Sequence, residues 1–149
     1  MSKKYKGKLC AYCAKDLAAT GDHIFARGFF LESVRSDLPK APICNQCNAD
    51  KSDLEHYLQP VFAFGGRHPD AFENLDIWAR RKLEKDAKLH RQLAAGYTET
   101  SVPLDWKKVE ALFRLIVRGL IWHHWKVYID NETHSLLSGY FPRGWHKVL

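Results

Sequence analysis

Unpaired cysteines, internal repeats, low-complexity tracts and uninterrupted apolar runs are all missing from this chain of 149 residues. Without a repeat or a biased tract, a solenoid or a fibrous polymer is not expected. The most apolar stretch, 113–129, is broken by Arg114, Arg118, His123, His124 and Lys126, so it does not read as a membrane span. The start, Met1-Ser2-Lys3-Lys4-Tyr5-Lys6-Gly7-Lys8, is basic but leads into no apolar segment, which argues against a secretory signal. A cytoplasmic protein with reduced thiols and no membrane partner is the expectation.

What is present suffices for a packed domain. Hydrophobic residues make up 46% of the chain and aromatic residues 13%, which argues against wholesale disorder. The formal net charge of +6 favours a polyanionic partner, and nucleic acid is the commonest.

The four cysteines, Cys10, Cys13, Cys44 and Cys47, form two Cys-x-x-Cys pairs. Two residues between paired thiolates let a tight knuckle turn present both sulfurs to one Zn²⁺, so the spacing points to a tetrahedral structural site. The competing reading is two unrelated pairs, buried or redox-active. A redox pair would want a strand before it and a helix after it, and nothing would call for a second pair. A site with four thiolates has no open coordination position, so any catalysis must lie elsewhere.

Between the pairs lies Gly21-Asp22-His23-Ile24, and after the last cysteine comes Asn48-Ala49-Asp50-Lys51-Ser52. An imidazole can take a proton from water near neutral pH, and a carboxylate is a hard ligand suited to Mg²⁺ or Mn²⁺. Adjacent strand residues point to opposite sides, so Asp22 and His23 share a site only where the strand twists or ends. Asn48 is equally suited to capping a helix, and Lys51 and Ser52 to a solvated first turn. The alternative makes Asn48 an oxygen ligand and turns Lys51 and Ser52 to phosphate, with Glu55 on the same helix face.

Together these residues carry a resemblance. Cys-x-x-Cys, Asp-His-Ile and then Leu38-Pro39-Lys40-Ala41-Pro42-Ile43-Cys44-x-x-Cys47-Asn48-x-x-Lys51-Ser52 resemble the HNH endonucleases, in particular small bacterial and phage members, over about the first sixty residues. The resemblance implies an α+β fold: a zinc-stapled treble-clef ββα-metal core over 1–60, followed by a mainly helical extension over 61–149. It implies His23 as the general base of a metal-dependent phosphodiester hydrolase acting on nucleic acid, DNA first. It implies Asp22 and Asn48 as catalytic residues holding one divalent cation, Mg²⁺ or Mn²⁺. The middle asparagine of the family is absent, because Asp37-Leu38-Pro39-Lys40 stands in its place. That departure gives weight to the alternative of a catalytically inactive zinc-binding module that still binds nucleic acid. A third reading is a protein-interaction domain using exposed Trp122, Trp125 and Trp145.

Elsewhere the pattern is helical. A helix is expected over 51–58, another after His68-Pro69-Asp70, and a third capped by Asp105. The last places Val109, Leu112, Phe113, Ile116, Val117, Leu120 and Ile121 on an apolar face, with Glu110, Arg114 and Arg118 as a solvated stripe. Arg80, Arg81, Lys82, Lys85 and Lys88 suit either a solvated face or a nucleic-acid backbone, and the oligomeric state, monomer or homodimer, is left open.

Overall fold

The computed structural model describes residues 4–98 and 104–130. Trp145, named in the protein-interaction reading, lies outside these residues. The described chain is α+β. Strand β1, Thr20–His23, pairs antiparallel with β2, Lys40–Ile43, with Asp22 opposite Ala41 and His23 opposite Lys40. The chain between them turns through two short 3-10 segments, Arg27–Phe29 and Glu32–Val34.

Helix α1, Asn45–Gly65, begins directly after β2 and is capped by Cys44, whose Sγ accepts from the Cys47 backbone N–H at 3.4 Å. The helix is longer than the expected 51–58 and passes through Pro60. Proline forfeits one intrahelical hydrogen bond, yet Pro60, Leu58 and Val61 are all buried, and this packing outweighs the local penalty. Next come α2, Pro69–Asn74, a π turn over Leu75–Ala79, α3, Arg80–Lys85, and α4, Ala87–Ala94. Helix α5, Trp106–Trp125, is capped by the Asp105 carboxylate, which accepts from the N–H groups of Lys107 and Lys108.

The core lies between the hairpin, α1 and α5. Ile24, Ala41, Ile43, Leu58, Val61, Leu112 and Ile116 meet there with Tyr5, Tyr12 and Trp122. Each fully buried Leu or Ile contributes about 1.5–3 kcal/mol. Two glycines permit the closest approaches. The Tyr5 ring lies over Gly21, where a Cβ would fall within 2.2 Å of it, and Ile24 lies against Gly119 of α5, 3.0 Å from where a Cβ would stand.

Two expectations on α5 are overturned. Arg118 is 6% exposed rather than solvated, because its guanidinium donates from Nη1 to the Tyr12 carbonyl oxygen at 2.8 Å. Trp122 is 4% exposed, packed against Tyr5, so it is core and not part of a partner surface; Trp125 is exposed. Arg114 does pair with Glu110, at 2.5 Å. None of the described helices is long and apolar enough to cross a membrane.

Candidate metal centre and the adjoining polar cluster

The first Cys-x-x-Cys loop turns sharply enough to put Ala14 in the left-handed region, with φ of 54°, and the Ala14 N–H bonds back to the Cys10 carbonyl at 3.0 Å. The second pair straddles the start of α1. The turn and the helix start bring the ligand atoms of Cys10, Cys13, Cys44 and Cys47 within 4.8 Å of one another. Tetrahedral thiolate coordination needs sulfurs about 3.8 Å apart, given a Zn–S bond near 2.3 Å, so the cluster is of the right size. Backbone N–H groups support the sulfurs: that of Cys44 donates to Cys10 Sγ at 3.4 Å.

The electrostatics favour metal as well. The Cys47 thiol bonds to Cys10 and, against the opposing effect of burial, holds its pKa down to about 4; the same bond and burial push Cys47 up. A shared proton of this kind is what a divalent cation displaces on binding. Burial first, then Arg114, lower the Arg118 pKa, and Cys47 and Cys13 oppose that shift. The donor set fits a structural Zn²⁺.

One layer away lies a second polar cluster. Lys51, on α1, is 2% exposed. Its ammonium donates to Asp22 Oδ2 at 2.8 Å, to the His23 carbonyl oxygen at 2.8 Å and to the Glu55 carboxylate. The expectation that Lys51 faces phosphate is therefore corrected: strand β1 presents two oxygens, Glu55 a third, and they turn the side chain inward. Burial raises the Glu55 pKa, and Lys51 opposes that shift. Tyr12, from the first cysteine knuckle, feels the same cluster: burial first, then the charges of Asp22 and Glu55, raise its pKa.

His23 sits at the end of β1. Burial and then Lys40 lower its pKa, with the Leu38 backbone and Asp22 opposing, so the neutral imidazole is favoured. His23 Nδ1 is buried and has no hydrogen-bond partner among the described residues. The loop that lacks an asparagine is braced by backbone instead: the Ile24 N–H donates to the Pro39 carbonyl at 2.9 Å.

The sequence-derived residues divide. Asp22, His23 and Lys51 come together, and Glu55 joins them. Asn48 and Ser52 are exposed on α1, and among the described residues the Asn48 side chain makes no hydrogen bond to Asp22 or His23. Among the described residues, the four cysteines form the one group of three or more His, Cys, Asp or Glu placed to hold a metal ion, so no catalytic cation is shown. Sequence reasoning missed Arg118, whose place on an amphipathic helix gave no sign of a backbone partner 106 residues away. Lys51 and Glu55 carried a usable sign in their i, i+4 spacing. Of the basic run near α3, Lys82 is half-buried and donates to Gln59 Oε1 at 3.0 Å, while Arg80, Arg81, Lys85 and Lys88 are exposed.

No family model, no curated protein and no solved structure matches this chain.

Proposed function

We propose that this protein is an HNH-type endonuclease, a treble-clef phosphodiester hydrolase acting on nucleic acid, with DNA as the first substrate to test. The observation that carries the reading is the cysteine cluster joined to a short hairpin that ends in a histidine kept neutral beside a carboxylate. His23 accepts a proton from water at Nε2 as the water oxygen bonds to phosphorus and the P–O bond to the leaving oxygen breaks. That Nε2 is free to accept requires the ring hydrogen on Nδ1, the buried nitrogen.

The chemistry around Asp22 suits a hard cation. Asp22, Glu55 and the His23 carbonyl direct oxygen donors at one point. Asp22, with Glu55 or Asn48 supplying further oxygen, would hold a divalent cation, which would supply charge neutralisation for the phosphate and the leaving oxygen. Cys10, Cys13, Cys44 and Cys47 would hold Zn²⁺ apart from the step, where it would keep the first knuckle, β2 and the start of α1 in register. The exposed Arg80, Arg81, Lys85 and Lys88, with the net charge of +6, suit a nucleic-acid backbone.

A second reading has a specific observation in its favour. The Asp22 carboxylate is engaged by Lys51, and Asn48 is exposed. A module that binds nucleic acid without cutting it requires no more than this. Plasmid cleavage separates the two. Zinc-loaded protein is incubated with supercoiled DNA alone and with Mg²⁺ or Mn²⁺, with His23→Ala in parallel. Cation-dependent nicking lost in folded His23→Ala supports the nuclease. Salt-sensitive DNA binding with no cleavage in any cation supports the binding module.

A further inference from the structure

We infer that Lys51 is the resident cation of the Asp22 site, and that a divalent ion can bind there only by expelling the Lys51 ammonium. The inference rests on the proposed function only for the identity of the competing ion.

The geometry is that of a filled cation seat. Three oxygens, Asp22 Oδ2, the His23 carbonyl and a Glu55 carboxylate oxygen, converge on a single ammonium nitrogen. An ammonium has three N–H groups, so all of its donor capacity is spent on this set. The seat is largely shielded from solvent: the Lys51 side chain is 2% exposed, Glu55 16% and Asp22 23%. In such surroundings a charge persists only if it is paired, and two carboxylates with one ammonium leave a net negative seat that attracts a cation. Asp22 and Glu55 approach from different elements, β1 and α1, so removing the ammonium exposes two carboxylates and a carbonyl to one another. These are the donors that Mg²⁺ and Mn²⁺ take. Ammonium and divalent ion cannot share the space, so their binding is mutually exclusive. Lys51 therefore weakens the apparent affinity of the wild-type site for a divalent ion, and the exchange acts as a gate on whatever chemistry that ion supports.

The test is direct binding of Mn²⁺, followed by electron paramagnetic resonance on zinc-loaded protein without nucleic acid. Wild type, Lys51→Met and Lys40→Met are compared; Lys40 is exposed, and its loss removes the same charge near the same strand. Lys51→Met is expected to bind Mn²⁺ at least about tenfold more tightly than both other proteins, the scale of an ordinary coupling between mutually exclusive ligands. Equal affinity in wild type and Lys51→Met, equal tightening in Lys40→Met, or no binding to either Lys51→Met or wild type overturns the inference. Should Lys51→Met not fold, pulse acetylation of wild type with mass-spectrometric readout decides the matter. Lys51 is expected to be protected in the absence of Mn²⁺ and to become reactive as Mn²⁺ is added, while exposed lysines keep a constant rate. Protection that Mn²⁺ leaves unchanged overturns it. Because neither readout involves cleavage, an inactive protein can still pass, and an active one can still fail.

Discussion

Gly119 sets how closely α5 approaches the strand that carries Asp22 and His23, and the contact can be weighed. An alanine Cβ there would stand 3.0 Å from both Cγ1 and Cγ2 of Ile24 and 3.2 Å from Tyr12 Oη. Neither neighbour has room to retreat, since Ile24 is 0% and Tyr12 1% exposed. Gly119→Ala gains about 1 kcal/mol of helix propensity. The forced shift in a packed core costs about 1–3 kcal/mol, so the net change lies between about zero and 2 kcal/mol of destabilisation. Ile24→Ala alone costs about 2–5 kcal/mol through lost burial and a cavity. In the double variant the clash with Ile24 is gone while the propensity gain remains, so its cost falls below the sum of the single costs by most of the clash energy, about 1–3 kcal/mol. Urea unfolding of the four zinc-saturated proteins, with the m-value unchanged across the set, measures this coupling. Additivity within about 0.3 kcal/mol would show that α5 and the hairpin do not meet at this point, and the placement of His23 argued from that packing would fall with it.

The metal clamp was legible because its cause is local. Two residues between paired thiolates follow from the reach of a knuckle, and four thiolates without a leftover leave little else for the pattern to mean. The hairpin came only with the ββα resemblance, which implies one carrying Asp22 and His23, and β1 does pair with β2 there. Helix length was not legible. Pro60 reads as a stop in local terms, and only the burial of Leu58, Pro60 and Val61 against the rest of the core carries α1 on to Gly65. Side-chain direction was the largest failure, and it has one physical root. A lysine or arginine on an amphipathic helix is assigned to solvent unless a partner is known, and the partners of Lys51 and Arg118 lie on other elements. Asn48 and Lys51 occupy the same stretch of α1, yet the first is exposed and the second buried. A motif lists both; only the fold says which one meets Asp22.

Three further outcomes are expected. Arg118→Met removes the donor to the Tyr12 carbonyl and a positive charge that interacts with Cys47 and Cys13; it should destabilise the protein by about 1–3 kcal/mol in urea and hasten zinc loss to a chelator. Unchanged zinc retention would mean the guanidinium serves the backbone alone. His23 should titrate below the ordinary imidazole value of 6.5 by NMR, because burial and Lys40 lower its folded pKa. The sign follows from proton binding: the unfolded chain binds the proton more readily, so the contribution of His23 to stability is present above 6.5 and lost as pH falls through the folded value. His23→Gln should flatten that part of the pH–stability curve, and a His23 titration above 6.5 would refute the assignment. The last outcome concerns zinc. Structural zinc contributes about 10–16 kcal/mol of binding energy in small domains, against a net stability of about 5–15 kcal/mol for a whole protein. Here the ligands join the first knuckle to the end of β2 and the start of α1, whereas α5 is held by its own Asp105 cap and a long apolar face. Chelation should thus abolish the near-ultraviolet signal of the tyrosines packed in the core, Tyr5 and Tyr12, while much of the helical far-ultraviolet signal survives. Readdition of Zn²⁺ should restore both, and Cys44→Ser should reproduce the chelated spectrum. A chelated protein that keeps its native near-ultraviolet spectrum would show that packing alone, without the clamp, positions the hairpin.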